Sequence, residues 1–218
     1  MSQGMSQSSS RPHDATWPPA PPLVAILRGL PAQDAAAVGD ALFEAGFRTL
    51  EVPLNRPGAL DAIAILAARA PADALIGAGT VLEPAQVDAV AAAGGRLIVM
   101  PHADTAVIAR AKALGLRCAP GVFTATEAFA ALRAGADALK LFPAEVLGPA
   151  GLKALRAVLP AGVPLWPVGG VAPDTLAAWR AAGATGFGIG SALYPEGAPA
   201  DQVARCAAAF MAAWQNQA

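Results

Sequence analysis

Lys140 stands inside the run Ala138-Leu139-Lys140-Leu141-Phe142-Pro143, an apolar stretch bounded by Gly135 and Pro143. So short an apolar run reads as a buried strand of a parallel sheet. The ammonium of a lysine placed there must reach water, pair with a carboxylate or lose its proton to burial. The first two outcomes make it structural. The third makes it a nucleophile for carbonyl carbon, through a Schiff base. Glu51, within Thr49-Leu50-Glu51-Val52-Pro53-Leu54, poses the same question for an acid. Either it forms a buried ion pair with Arg28 or Lys140, or it moves protons as a general acid–base. Two glycine clusters, Gly169-Gly170 and Gly190-Ser191, can offer backbone N–H groups to a phosphate or can serve as tight turns.

Other chemistries lack their residues. His13 and His102 are the only histidines, so a multi-histidine metal site is excluded and a Ser-His-Asp triad has one candidate histidine. Cys118 and Cys206 have neither CxxC nor another metal spacing, and fit reduced thiols in a cytoplasmic protein. Gly77-Ala78-Gly79 lacks the third glycine of the dinucleotide fingerprint, and no helix opens within it. Trp179, Phe210 and Trp214 fall at helical positions where packing explains them.

The elements that must position Lys140 and Glu51 repeat regularly. Residues 1–20, rich in Ser, Gln and Pro, lack the layout of a signal peptide and read as a flexible tail, which removes His13 from the chemistry. From residue 21 to residue 218 the chain reads as one domain. Strands are expected at 23–27, 49–54, 74–81, 96–100, 116–122, 138–142, 164–171 and 186–193. Helices are expected at 32–45, 58–70, 84–93, 105–114, 124–134, 151–159, 174–182 and 202–214. Thr124 with Glu127 forms a capping box. Strict alternation implies a parallel sheet, and eight units imply a single (β/α)8 TIM barrel rather than an open, doubly wound sheet.

Composition agrees. Of 218 residues, 55% are hydrophobic and only 14% charged, against roughly 25% charged in an average globular protein, so much of the chain is buried. The net charge of −1, without a basic block, disfavours nucleic acid as a partner. No apolar run approaches the roughly 18 residues of a membrane span.

In such a barrel the reacting residues sit at the C-terminal ends of the strands. Those ends supply Arg28, Glu51 with Asn55 beyond it, Thr80, Pro101 with His102, Lys140 with Phe142, Gly169-Gly170, and Gly190-Ser191. An acid, a lysine and an arginine therefore converge on one mouth. The glycine pairs close the seventh and eighth strands, where barrels often bind phosphate.

The ordered set Ala25-Ile26-Leu27-Arg28-Gly29, Glu51-Val52-Pro53-Leu54-Asn55, Gly77-Ala78-Gly79-Thr80-Val81-Leu82, Leu139-Lys140-Leu141-Phe142-Pro143 and Val168-Gly169-Gly170-Val171 resembles the 2-keto-3-deoxy-6-phosphogluconate/galactonate aldolase family of class I aldolases. The likeness runs from about Leu23 to the C-terminus. It implies Lys140 as the Schiff-base lysine and Glu51 as the general acid–base. It implies Arg28, Thr80 and Pro101 around the keto-acid carboxylate, Phe142 as a pocket wall, and Gly169, Gly170, Gly190 and Ser191 as the phosphate cradle. It also implies a homotrimer, a phosphorylated keto acid as substrate, and no metal or other cofactor beyond the imine on Lys140. Asn55 replaces an arginine of the gluconate branch, and Val168 replaces a threonine able to bond the C4 hydroxyl. Both point to the phosphogalactonate branch, whereas Pro143-Ala144-Glu145 resembles the gluconate branch. The resemblance thus implies cleavage of 2-dehydro-3-deoxy-6-phosphogalactonate, with the gluconate epimer as the alternative. A phosphosugar isomerase or epimerase would share the phosphate cradle without needing Lys140, and a sugar-acid sensor would need no chemistry at all.

Overall fold

The computed structural model describes residues 17–216. The tail expectation for residues 1–16, including His13, lies outside the described residues, whereas residues 17–20 of that expected tail have defined positions.

Among the described residues, strands β1 (Leu23–Ile26), β2 (Thr49–Pro53), β3 (Leu75–Gly79), β4 (Leu97–Val99), β5 (Arg117–Ala119), β6 (Gly121–Val122), β7 (Leu139–Leu141), β8 (Leu165–Pro167) and β9 (Phe187–Ile189) are present. The helices are α1 (Ala32–Ala45), α2 (Ala59–Arg69), α3 (Pro84–Ala92), α4 (Thr105–Ala113), α5 (Ala125–Arg133), α6 (Ala144–Arg156), α7 (Leu176–Ala181) and α8 (Ala200–Gln215). One helix follows each strand, except that β5 runs directly into β6.

A six-stranded sheet has the order β5-β4-β3-β2-β1-β9, and a three-stranded sheet has the order β6-β7-β8. Every pairing is parallel. The two sheets adjoin at both margins. On one side the chain passes through Pro120, which has no N–H for a ladder and so splits the strand expected at 116–122. Its carbonyl still accepts the Lys140 N–H at 2.9 Å. On the other side Val168 bridges Gly188 in parallel, and the Thr185 N–H donates to the Leu165 carbonyl at 3.0 Å.

Side-chain caps fix three of the eight helix starts among the described residues, those of α3, α4 and α5. The Thr124–Glu127 capping box forms as expected: the Thr124 N–H donates to Glu127 at 2.8 Å and the Glu127 N–H donates to the Thr124 hydroxyl at 3.3 Å. Asp104 caps α4 by accepting from the Ala106 and Val107 N–H groups. The helix expected at 151–159 instead begins at Ala144 and continues past a break at Gly148, which holds φ 67° and ψ 168°. Gly148-Pro149 reads as a stop, because proline cannot continue the helical ladder, yet one turn precedes it.

Alternation along the strands separates two apolar regions. Ala25, Leu50, Ile76, Ile98, Leu139, Leu165 and Phe187 join the inner sides of the helices in the larger cluster. Val24, Leu75, Leu97, Ala138 and Trp166, on the opposite faces, form the smaller one. Because that smaller cluster draws on both sheets, their inner faces meet.

Candidate active site

Thr49, Glu51 and Lys140 are the buried polar residues among those described, with Glu51 only 1% and Lys140 7% exposed. Strand register explains how both charges reach the interior. Glu51 pairs with Ile26 and Gly77 on the neighbouring strands, and Lys140 pairs with Gly121 and Trp166. Small residues give the charged side chains room. A Cβ on Gly79 would stand 1.9 Å from Glu51 Oε2, so that carboxylate occupies space any larger residue would fill. Lys140 Nζ lies 4.8 Å from the centre of the Phe142 ring, a cation–π distance.

The structural alternatives for these two groups are not realised. No ion pair among the described residues includes Glu51, Lys140 or Arg28. Glu51 Oε2 is buried with no hydrogen-bond partner among the described residues. Burial pushes the Glu51 carboxyl up to about 7, against smaller opposing pulls from Lys140 and Arg28. Burial likewise lowers the Lys140 amine, with Glu51 opposing the shift and Arg28 adding to it. Burial thus favours the neutral amine on Lys140 and the protonated acid on Glu51, the pattern expected of a nucleophile and an acid–base.

The raised carboxyl has a consequence for stability. An unfolded Glu51 releases its proton near 4.5, whereas the folded one holds it to about 7. Folding therefore binds a proton across that window, and the associated stability, full below pH 4.5, is lost as pH rises through about 7. Glu51→Gln removes this dependence. Its unfolding free energy should rise relative to wild type between pH 5 and pH 8, by up to about 3 kcal/mol at the alkaline end. A gap that stays constant with pH would show that the burial of Glu51 does not govern its ionisation.

A cavity of about 500 Å³ is lined by Arg28, Phe142, Val168, Gly169, Gly170, Gly190 and Ser191 as the sequence leads one to expect, while Lys140 and Glu51 are not among its lining residues and Lys140 meets it only through the Phe142 ring. The cavity wall at Gly169 favours glycine through its backbone, and the exposed Glu145 carboxylate comes close. The residue holds φ 109°, and a Cβ there would stand 1.9 Å from Glu145 Oε2. Val168 is fixed by its backbone, donating to the Leu141 carbonyl and accepting from the Ala144 N–H, each at 2.9 Å. Its side chain packs on Gly188, where a Cβ would come within 2.5 Å of Val168 Cγ2.

Asn55, Thr80 and Pro101 do not line this cavity. Asn55 is exposed beyond β2. Thr80 follows Gly79 at the end of β3 with φ 53°, a left-handed conformation costing a β-branched residue on the order of 1–3 kcal/mol. The Pro101 carbonyl crowds Gly121, 2.4 Å from where a Cβ would stand. Conversely, Ile26, Tyr194 and Glu196 line the cavity without having been anticipated. Ile26 carried a signal, since it lies two residues before Arg28 on one strand face. Tyr194 and Glu196 come from the loop after β9 and carried none.

Among the described residues no group of three or more His, Cys, Asp or Glu is placed to hold a metal ion, and no helix is long and apolar enough to cross a membrane.

The arrangement has counterparts. The family model for KDPG and KHG aldolase matches residues 19–208. The chain is 48% identical over 200 residues to 2-dehydro-3-deoxy-6-phosphogalactonate aldolase of Escherichia coli (strain K12), covering 92% of this chain and 98% of that protein. It is 50% identical over 193 residues to the probable 2-dehydro-3-deoxy-6-phosphogalactonate aldolase of Rhizobium meliloti (strain 1021), covering 88% and 91%. A solved native KDPGal structure superposes with a TM-score of 0.90 at 47% identity, covering 92% of this chain and 98% of that one. With an acid and a lysine buried in its strands, and with likeness along nearly its whole length, the chain belongs to the KDPG and KHG aldolase family.

Proposed function

We propose that the protein is a class I aldolase that cleaves 2-dehydro-3-deoxy-6-phosphogalactonate to pyruvate and D-glyceraldehyde 3-phosphate. The observation that carries this reading is the buried, unpaired Lys140 with a lowered amine beside Glu51. Neutral Lys140 attacks C2 of the keto acid, and loss of water gives an iminium ion. Glu51 takes the C4 hydroxyl proton as the C3–C4 bond breaks, releasing the aldehyde. The electron pair left at C3 is delocalised as an enamine. Glu51 returns its proton to C3, and hydrolysis of the iminium frees pyruvate and Lys140. One residue can serve both transfers because a carboxyl near 7 holds both forms at working pH. The iminium supplies the electron sink, so no step calls for a metal or other cofactor.

Arg28, Thr80 and Pro101 hold the keto-acid end on this reading, with Asn55 beyond them and Phe142 as the wall over the amine. Gly169, Gly170, Gly190 and Ser191 cradle the phosphate. Binding energy spent on that distant group orients the reacting carbons. The two sheets act as one closed (β/α)8 barrel, supported by chain continuity through Pro120 and by the Val168–Gly188 bridge. Exposed Phe123, just after β6, and Val146, in the first turn of α6 after the paired strand β7, support association of copies, a homotrimer by resemblance. The site of action is the cytoplasm.

The reading is tested by incubating the protein with each C4 epimer and measuring pyruvate. Faster release from the galactonate epimer is expected, and release from neither would remove the proposal. Val168 gives the same assay a sharper edge. It lines the cavity on a fixed backbone, and threonine adds a hydroxyl at nearly constant volume. A hydrogen bond to a neutral hydroxyl contributes roughly 0.5–1.5 kcal/mol, so Val168→Thr should shift the kcat/KM ratio toward the gluconate epimer by about 2- to 13-fold. An unchanged ratio, or a shift toward the galactonate epimer, would mean that position 168 does not read C4.

A further inference from the structure

The interior opens at the cavity and must be closed at its other end. There Val24, Leu97, Ala138 and Trp166 form a floor, and Trp17, from the segment before β1, packs against it. The Trp17 and Trp166 ring centres lie 5.5 Å apart with the planes tilted by 47°. The Arg117 guanidinium stands 5.0 Å from the centre of the Trp17 ring, and the Trp17 indole N–H donates to the Asp137 carbonyl at 3.2 Å. Arg117 is itself held by the Asp137 carboxylate at 2.9 Å, which also accepts from Lys112 at 2.7 Å and from the Cys118 N–H at 2.8 Å. One exposed-side aromatic ring is thus clamped onto the floor from three directions. Trp166 is the register partner of Lys140, and Ala138 lies two residues below Lys140 on the same strand face. Trp17 thus packs on Trp166, whose strand position neighbours that of Lys140.

We infer that Trp17 is a positioning residue for the reaction, a stopper that keeps water from reaching Lys140 and Glu51 through the floor. This rests on the aldolase reading of Lys140. Burial is the leading cause of the displaced ionisation of both groups. The cavity side is open, so the dry boundary is the one beneath. The Trp166 indole N–H is buried without a partner among the described residues, and it is where entering water would first bind. Glu51 on β2 and Arg28 after β1 are the charges that act on the amine. The paired strands β6 and β8 place uncharged Gly121 and Trp166 beside it. Helix α6, on the outer side of β7, carries Glu145 and Lys153 exposed and Arg156 bound to the Val163 and Gly183 carbonyls. Arg117, Lys112 and Asp137 pair with one another below the floor.

The test is the rate of pyruvate adduct formation under cyanoborohydride, read by mass spectrometry from pH 5 to pH 9, in wild type, Trp17→Ala, Trp17→Leu and Trp17→Phe. Water beneath Lys140 returns the amine toward its ordinary range. In Trp17→Ala the pH at which trapping becomes fast should rise by about one unit, an about tenfold loss of rate at fixed pH below it. Trp17→Leu should shift less in the same direction, and Trp17→Phe should restore the wild-type limb. If Trp17→Ala does not fold, Trp17→Leu decides. A lowered melting temperature with an unmoved pH limb in the alanine and leucine variants overturns the stopper and leaves the aldolase reading intact. Wild type forming no adduct at Lys140 overturns both.

Discussion

Lys140→Met should abolish turnover, by a factor on the order of 10⁶, the scale seen when a covalent nucleophile is removed from an enzyme. Methionine matches the length and apolar stem of lysine, so the interior stays filled while the only buried amine among the described residues is lost. Borohydride reduction in the presence of pyruvate should attach a three-carbon acid to the wild-type peptide containing position 140 and to no peptide of the variant. The competing lysines are poorly placed. Lys112 is bound to the Asp137 carboxylate and the Leu116 carbonyl, and Lys153 is exposed on α6. An adduct on either, or a variant that still turns over, would relocate the chemistry.

Glu51→Gln should slow cleavage by about 10²–10⁴-fold while leaving imine formation largely intact, the range for a positioned acid–base. The amide matches the carboxyl in shape and fits the space over Gly79, so the loss isolates proton transfer from packing. The two variants together separate the half-reactions: Lys140→Met traps no adduct, whereas Glu51→Gln traps one and fails to process it. Wild-type kcat/KM should also show a limb near pH 7 that the glutamine variant lacks, because burial sets the Glu51 carboxyl there. Turnover within about threefold of wild type would assign the proton transfers elsewhere.

Most of the architecture was legible because each element announces itself locally. Helix α1 matches its expected span at both ends, since the apolar period begins after Pro31 and Gly46 ends it. Elements were missed where one local signal hid another. Pro120 cut a strand whose apolar run is continuous, and Gly148-Pro149 masked the turn of α6 before it. At the site, Lys140 and Glu51 were readable as charges in buried strands, but whether they pair depends on the separation of β2 and β7, which no spacing encodes. Glu196 and Tyr194 reach the cavity by the course of a loop, and loop paths leave no periodicity. Trp17 shows the limit most plainly. Prolines and polar residues around it read as a tail, while its partners, Arg117, Asp137 and Trp166, lie a hundred or more positions away in each case.

The division of the apolar residues into an outer shell and an interior layer bears on how this protein can change. Ile63, Leu66, Val87, Ile108, Leu152 and Phe210 belong to the shell between helices and sheets and touch neither the cavity nor the amine. Mutations there can accumulate or be selected for thermal robustness with little echo in substrate choice, because distant sites combine almost additively. The interior offers no such latitude: Gly79 and Gly188 already stand where a methyl group would collide. Laboratory evolution toward new aldehydes should therefore find its productive substitutions at Val168, Ile26 and the loop after β9, while drift among natural relatives collects in the helices.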